Sequence, residues 1–342
     1  MKKVLKSRLP ELWEAINNNF DLFLPVENGT LVNFGSYAAD KTVRLDVLKT
    51  NSSVKEFVFP QTETYLKFKN TRKKLELTPV NVEGRDYVLF GVRNCDAASF
   101  EIMDNIFLRE PVDTYYRAHR EKGIIVTMAC NSPEETCFCT AFGIDASEAS
   151  SASDVVTWDM GDYILWEAKT EKGEKFTDAV SAILEDAEDV NALGILKKEI
   201  KEKMESLPLK ELDPKKITKE QQEIFDMEDF WGDISKKCLA CGSCTFVCPT
   251  CHCYDVKDYD GGNAGERYRC WDSCMISDFT RMAHGNPRTS QLQRVRQRFM
   301  HKLVYYPKNH EGMYSCVGCG RCVEKCPVGL NIVRVIKRLG EE

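Results

Sequence analysis

Apolar positions in the N-terminal part of the chain change period several times. In residues 7–20, Leu9, Leu12, Trp13, Ile16 and Phe20 recur at helical spacing, which predicts an amphipathic helix with one face on a sheet. Short apolar runs at 29–34, 43–47, 87–92, 123–128 and 163–166 each predict a strand. Helical spacing returns at 176–186 and 191–204. This mixture predicts an α/β-type domain over residues 1–205. Residues 206–236 are polar and charged, carry Pro208 and Pro214, and predict a linker with one short helix around 219–227. In the remaining stretch, 237–342, one clear helix is predicted, at 290–305. Leu292, Val295, Phe299 and Leu303 form its apolar face, and Arg294, Arg296, Arg298 and Lys302 lie elsewhere. The expected class is α+β, an N-terminal α/β-type domain followed by a mostly α-helical one.

Composition narrows this picture. The chain has 342 residues, 43% of them apolar, enough for packed cores and unlike a disordered chain. Its longest apolar runs, 87–92 and 123–128, are far too short to span a bilayer. The opening MKKVLKSRLPELW lacks the apolar stretch of a secretory signal, so the cytoplasm is the expected location. Charge is uneven. From Lys236 onward there are 17 Lys and Arg against 10 Asp and Glu, a net of +7, whereas the preceding residues carry −13. Nothing in the basic part resembles a nucleic-acid module, so no nucleic-acid partner is expected.

The basic part is also the cysteine-dense part, and it holds the chemistry. Sixteen cysteines occur in all. Cys238, Cys241, Cys244 and Cys248 precede Pro249, and Cys316, Cys319, Cys322 and Cys326 precede Pro327. Both runs read C-x2-C-x2-C-x3-C-P, the ligand run of two-cluster ferredoxins, in which the fourth cysteine reaches across to the other cluster. The expected ligand sets are therefore Cys238, Cys241, Cys244 and Cys326 for one [4Fe-4S] cluster, and Cys316, Cys319, Cys322 and Cys248 for the other. Disulfides fit poorly with a reducing cytosol. Zinc sites generally use two C-x2-C pairs rather than three consecutive spacings ending in C-P. Gly242, Gly318 and Gly320 are expected to take positive φ in these loops. Pro249 and Pro327 are expected to open the following helices. The insert between the runs is expected to fold as a helical connection.

Eight cysteines remain. Cys95 and Cys130 follow two of the predicted strands, and Cys137 and Cys139 form a tight C-x-C pair. Neighbouring strand ends would gather these four, either as a third cluster site or as buried free thiols. Cys251, Cys253, Cys270 and Cys274 have the same two readings, a fourth cluster or packing around the two cubes. His252 and His284 are candidate ligands with an ordinary structural alternative. Tyr254, Trp271 and Phe279 are expected to shield the cysteines from water. No G-x-G-x-x-G after a strand, no Walker A motif and no H-E-x-x-H is present, so NAD(P) and flavin are expected on partner subunits.

Several motifs in order carry a resemblance. They are Gly91-Val-Arg-Asn-Cys-Asp96, Cys130, Cys137-Phe-Cys139, Cys248-Pro-Thr-Cys-His-Cys253, Trp271-Asp-Ser-Cys274, Arg296-Gln-Arg-Phe-Met-His-Lys302 and Cys316-Val-Gly-Cys-Gly-Arg-Cys322. Together they resemble the family that unites the iron–sulfur β subunits of cytoplasmic sulfhydrogenases with an iron–sulfur component of anaerobic sulfite reductase. The resemblance implies a third [4Fe-4S] cluster at Cys95, Cys130, Cys137 and Cys139. It implies an electron-transfer subunit, without chemistry of its own, between an FAD- or FMN-containing subunit that oxidises NAD(P)H and a further redox subunit. Asn94 departs from the resemblance, since relatives tend to have Pro there. The competing readings are a terminal reductase acting at a special cluster near Cys251, Cys253, Cys270 and Cys274, and a zinc-stabilised interaction module.

Overall fold

A computed structural model describes residues 1–71, 74–187 and 191–341. Among these residues the strands are β1 Lys2–Leu5, β2 Asp21–Asn28, β3 Leu31–Ser36, β4 Thr62–Thr71, β5 Lys74–Pro79, β6 Tyr87–Arg93, β7 Gly123–Met128, β8 Val155–Asp159, β9 Tyr163–Ala168, β10 Glu185–Asp186, β11 Tyr254–Asp260 and β12 Ala264–Trp271. They make an eight-stranded mixed sheet, ordered β10-β1-β9-β8-β7-β6-β2-β3, and a four-stranded antiparallel sheet, ordered β11-β12-β4-β5. With the helices they form a mixed α+β molecule.

The parallel strands β6 and β7 lie at the centre of the large sheet. Every residue of both is buried, because helices cover both faces. Helices α1 (Leu9–Asn19) and α4 (Glu171–Ala179) pack on one face, where Val88, Phe90, Ile124 and Val126 meet Trp13 and Phe176. On the other face lie α2 (Asn94–Phe107) and α3 (Thr114–Lys122), which close over Leu89, Val92 and Ile125 with Phe100, Phe107 and Tyr116. Helix α5 (Asn191–Ser206) covers Val156 and Trp158 through Leu193 and Ile200.

Where strict periodicity met an ordinary element, expectation and structure agree, as at β6, β7, β9, α1 and α5. The differences have local causes. Residues 43–47 are not a strand but an extended loop, tied to β2 by the single bridge between Val26 and Val43. The helix expected at 176–186 starts at Glu171 under a Thr170 cap and ends at Ala179, after which Glu185 and Asp186 pair with β1. Strand β2 contains Pro25, which disguised it. The small sheet was missed because its strands are largely exposed and polar.

Residues 206–236, expected as a linker, hold α6 (Gln221–Asp226) and α7 (Glu228–Ser235) and are packed into the C-terminal core. Trp231 there is fully buried, and its indole N–H donates to the Ile224 carbonyl at 2.7 Å. The insert between the cysteine runs is helical only in part. It begins with the β11–β12 hairpin, and β12 pairs with β4 of the N-terminal half along seven positions. The helix expected at 290–305 is α9 (Gln291–Met300), capped by Ser290 and Gln293, and continues as a π-helical turn at His301–Tyr305. Such turns shift the register of the side chains that follow. Here the shift falls at Lys302.

Candidate metal centres

Each ferredoxin-type run folds as a loop, a single helical turn and a second loop. The turns are α8 (Ser243–Phe246) and α10 (Arg321–Glu324). Gly242 and Gly320 begin them at φ +74° and +79°, and Gly318 has φ +61°, as expected. The prolines behave differently from expectation. Pro249 and Pro327 do not open helices. Each occupies the second position of a turn, closed by Cys251 N–H to the Cys248 carbonyl (3.4 Å) and by Gly329 N–H to the Cys326 carbonyl (3.2 Å). The turn lets the fourth cysteine leave its own run and face the other.

The structure brings the cysteines of each expected set close together. Cys238, Cys241, Cys244 and Cys326 line one recess, together with Met275, Pro327 and Leu330. Cys316, Cys319 and Cys322 lie within electrostatic reach of Cys248. Backbone and side-chain N–H groups already point at these sulfurs. Ala240 N–H (3.5 Å) and Gln291 Nε2 (3.1 Å) donate to Cys238 Sγ, and Leu330 N–H donates to Cys326 Sγ (3.2 Å). The Gly318 and Ile332 N–H groups lie near Cys316 and Cys322 and favour their thiolate forms. Hydrogen bonds of this kind stabilise bound thiolates and raise a cluster's potential.

Cys95, Cys130, Cys137 and Cys139 also share one recess. Parallel pairing of β6 and β7 puts Cys95, in the first turn of α2, beside Cys130. The Asn94 N–H lies near Cys130 and favours its thiolate form. The loop at 137–139 closes the site. Burial pushes all four thiols up, Cys130 to about 11 despite the opposing charge of Arg93. Asn94 stands as the first residue of α2, with its side-chain amide donating to the Asp145 carbonyl at 2.6 Å.

The second run and the N-terminal recess are physically joined. Cys319 lines the same recess as the four N-terminal cysteines. Phe138 N–H donates to the Gly318 carbonyl at 3.0 Å, and a Cβ on Gly318 would meet the Phe138 carbonyl oxygen at 2.4 Å. Arg321 spans the junction. It is buried, grips buried Asp96 through two contacts of 2.5 and 2.6 Å, and donates to the Thr50 carbonyl at 2.9 Å. Asp96 adjoins Cys95, and Arg321 lies between Cys319 and Cys322 in sequence. The three groups of cysteines are therefore contiguous. The first meets the second through Cys244 and Cys322, and the second meets the N-terminal group through Cys319 and Cys95.

Do these residues suit an anionic cluster? Arg298 gives the strongest answer. It is buried beside Cys244, Cys322, Cys248 and Cys251, and its Nε and Nη1 have no hydrogen-bond partner among the described residues. Burial opposes its charge, and the surrounding thiolates outweigh that. A guanidinium held among thiols with spare donors suits a centre of net charge about −2. Arg93 repeats the theme at the N-terminal recess, where its Nε is buried without a partner among the described residues. Among the described residues, no group of three or more His, Cys, Asp or Glu converges on a single metal ion. Two of the cysteine sets each line a small recess.

Other expectations divide. Lys302 is a buried neighbour of the cysteines, while Arg296 turns away to pair with Glu228 at 2.7 Å and stack on Phe225. His252 and His301 face each other with centroids 5.4 Å apart. His284 is exposed. Of the four cysteines left over, Cys251, Cys253 and Cys274 approach one another, and Cys270 does not join them. Cys270 lies on β12 between Arg269 and Trp271, whose side chains pack on Phe59 and Phe107, so strand alternation turns Cys270 to the other face. Lys55, beside Cys251, was not foreseen, and its position 196 residues away in sequence carries no motif.

Residues 237–330 match the 4Fe-4S dicluster domain family. The chain is 30% identical to the sulfhydrogenase 2 subunit beta of Pyrococcus furiosus over 344 aligned positions, covering 99% of this chain and 98% of that protein. It is 26% identical to an uncharacterized iron–sulfur protein of Methanococcus maripaludis over 48% of this chain and 27% of that one. No solved structure matches. No helix among the described residues is long and apolar enough to cross a membrane. Similarity along the whole length to one such protein, and a dicluster domain at the two cysteine runs, lead to one conclusion: the chain belongs to the family of sulfhydrogenase β subunits.

Proposed function

We propose that this chain is the iron–sulfur electron-transfer subunit of a cytoplasmic, multi-subunit oxidoreductase of hydrogenase type. It would relay single electrons between a flavoprotein that oxidises NAD(P)H and a further redox subunit. Three sites carry the reading. Cys238, Cys241, Cys244 and Cys326 would hold the first [4Fe-4S] cluster, Cys316, Cys319, Cys322 and Cys248 the second, and Cys95, Cys130, Cys137 and Cys139 the third. Bound clusters would supply reversible one-electron oxidation and reduction.

The residues of the chain supply order, insulation and access. The single observation that supports a relay most is the shared wall, with Cys319 of the second site lining the recess of the third. Arg321, Asp96 and Gly318 hold that wall closed. Access to a partner is offered at the other end. Cys241 is exposed, and Leu239 beside it keeps 65% of its surface in water.

Anaerobic iron and acid-labile sulfide counts with EPR test the ligand sets. Cys139→Ser should remove about four irons and one EPR component while both ferredoxin-type components stay. An unchanged count would refute the third site. The relay is tested by adding NAD(P)H to the isolated holoprotein. Its visible absorbance should bleach only when the flavoprotein partner is present. Bleaching of the chain alone would contradict the assignment of NAD(P)H and flavin to that partner.

A further inference from the structure

Four cysteines belong to none of these sites, and the fold gathers three of them. The turn closed by the Cys251 N–H on the Cys248 carbonyl brings the Cys251 and Cys248 thiols side by side. Pairing of Tyr254 with Trp271 extends to Asp272, whose N–H donates to the Cys253 carbonyl at 2.9 Å. That places Cys253 against the turn carrying Cys274, with the two thiols as neighbours. Cys251 in turn lies within electrostatic reach of Cys274. Two loops distant in sequence thus deliver three thiols to one place.

Buried cations surround that place. The Lys55 ammonium is buried, donates to the Cys251 carbonyl at 2.8 Å and lies 3.8 Å from the Trp271 ring centroid. The thiols of Cys251, Cys248 and Cys253 lie around it. Lys302 is buried nearby, with hydrogen bonds to Thr250 Oγ1 (2.7 Å) and the Ser315 carbonyl (2.8 Å), and faces Cys248 and Cys251. Arg298 faces Cys251 as well. A buried charge without a counter-charge costs several kcal/mol, so two lysines and an arginine require anions beside them. The second ferredoxin-type site answers for Lys302 and Arg298. Lys55 lies on the Cys251 side, with its ammonium on the Cys251 carbonyl. Aromatic rings of Phe59, Phe107, Trp271 and His252 close the site from that side.

We propose that Cys251, Cys253 and Cys274 hold a further iron–sulfur cluster, anchored by three thiolates and lying beside Cys248 of the second site. This inference rests on the iron–sulfur reading of the chain but not on the third site. It gives the second site three neighbours and makes it a junction rather than a link. Cys270 has no part in it.

The test uses the whole holoprotein, prepared anaerobically. Iron and sulfide analysis and native mass spectrometry should show about 15 to 16 irons, against about 12 for three cubanes alone. Cys253→Ser and Cys274→Ser should each remove about three or four irons and one EPR component, and Cys270→Ser should remove none. The parallel Cys139→Ser protein separates this inference from the third site, since each substitution subtracts its own irons. A count that Cys253→Ser and Cys274→Ser both leave unchanged would overturn the proposal. So would a loss of iron caused by Cys270→Ser. Should the serine variants fail to accumulate, the mass of the unsubstituted holoprotein decides: iron and sulfide for only three cubanes refutes the fourth cluster.

Discussion

At the scale of single residues, the junction between the halves rests on a few side chains with no substitute. Arg321 meets Asp96 with two parallel contacts inside the protein, a geometry that lysine lacks. Asp96→Asn leaves the guanidinium buried and uncompensated. It should lower stability by about 3–5 kcal/mol, read from denaturant unfolding of the holoprotein. Arg321→Lys should be nearly as harmful. Gly318 is constrained twice, by φ +61° and by the Phe138 carbonyl where a Cβ would go. Gly318→Ala should therefore pry the second run from the 137–139 loop and lower the thermal midpoint. Gly194, on α5 with open space around it, is the contrast. Gly194→Ala should raise stability by about 0.5–1 kcal/mol. Arg321 and Gly318 were visible within a cysteine run, but their partners were not. Nothing in the spacing says which distant carbonyl or carboxylate a loop will meet.

Elements show where charge, rather than apolar pattern, organises the fold. Strand β12 delivers the fully buried Arg269 into a ring of Phe59, Tyr65, Phe107 and Tyr254. There it pairs with Glu63 on β4 and with Asp113, the cap of α3, each at 2.6 Å. One side chain thus ties an insert of the C-terminal part to a strand and a helix of the N-terminal part. Burial alone would raise the Glu63 carboxyl, but the His119 hydrogen bond and the Arg269 charge hold it below its ordinary value. A depressed carboxyl adds stability above its unfolded value, roughly pH 4.3, and that stability is lost as pH falls through the folded value. Unfolding followed between neutral pH and roughly pH 3 should show this acid loss, and Glu63→Gln should flatten it. These polar strands escaped the apolar pattern because their stability comes from pairing and from one buried arginine.

For the whole molecule, cofactor and fold are linked. The C-terminal core packs Trp231, Phe299 and Ile336 directly against Cys238, Cys244, Cys316, Cys322 and Cys326. One face of the eight-stranded sheet has an apolar core without cysteines. Removing iron with an oxidant and a chelator should leave Arg298 and Lys302 buried without anions. Limited proteolysis of the iron-free protein should then cut residues 206–341 first, while the sheet persists. Equal cleavage throughout would show that the two parts do not differ in their dependence on iron.

What the chain determines by itself is chemical and local. The duplicated C-x2-C-x2-C-x3-C-P run, the central strands β6 and β7, and the cysteines at their ends are all read from spacing, because ligand loops and strand periods involve neighbours in sequence. Only the tertiary structure decided how the sites adjoin. It turned Cys270 away by strand alternation, packed the supposed linker into a core, and carried Lys55 to Cys251. It also seated the second cysteine run against the N-terminal recess through Gly318, Arg321 and Asp96. Those outcomes depend on which surfaces meet after folding, and contacts between residues far apart in the chain leave no period to read.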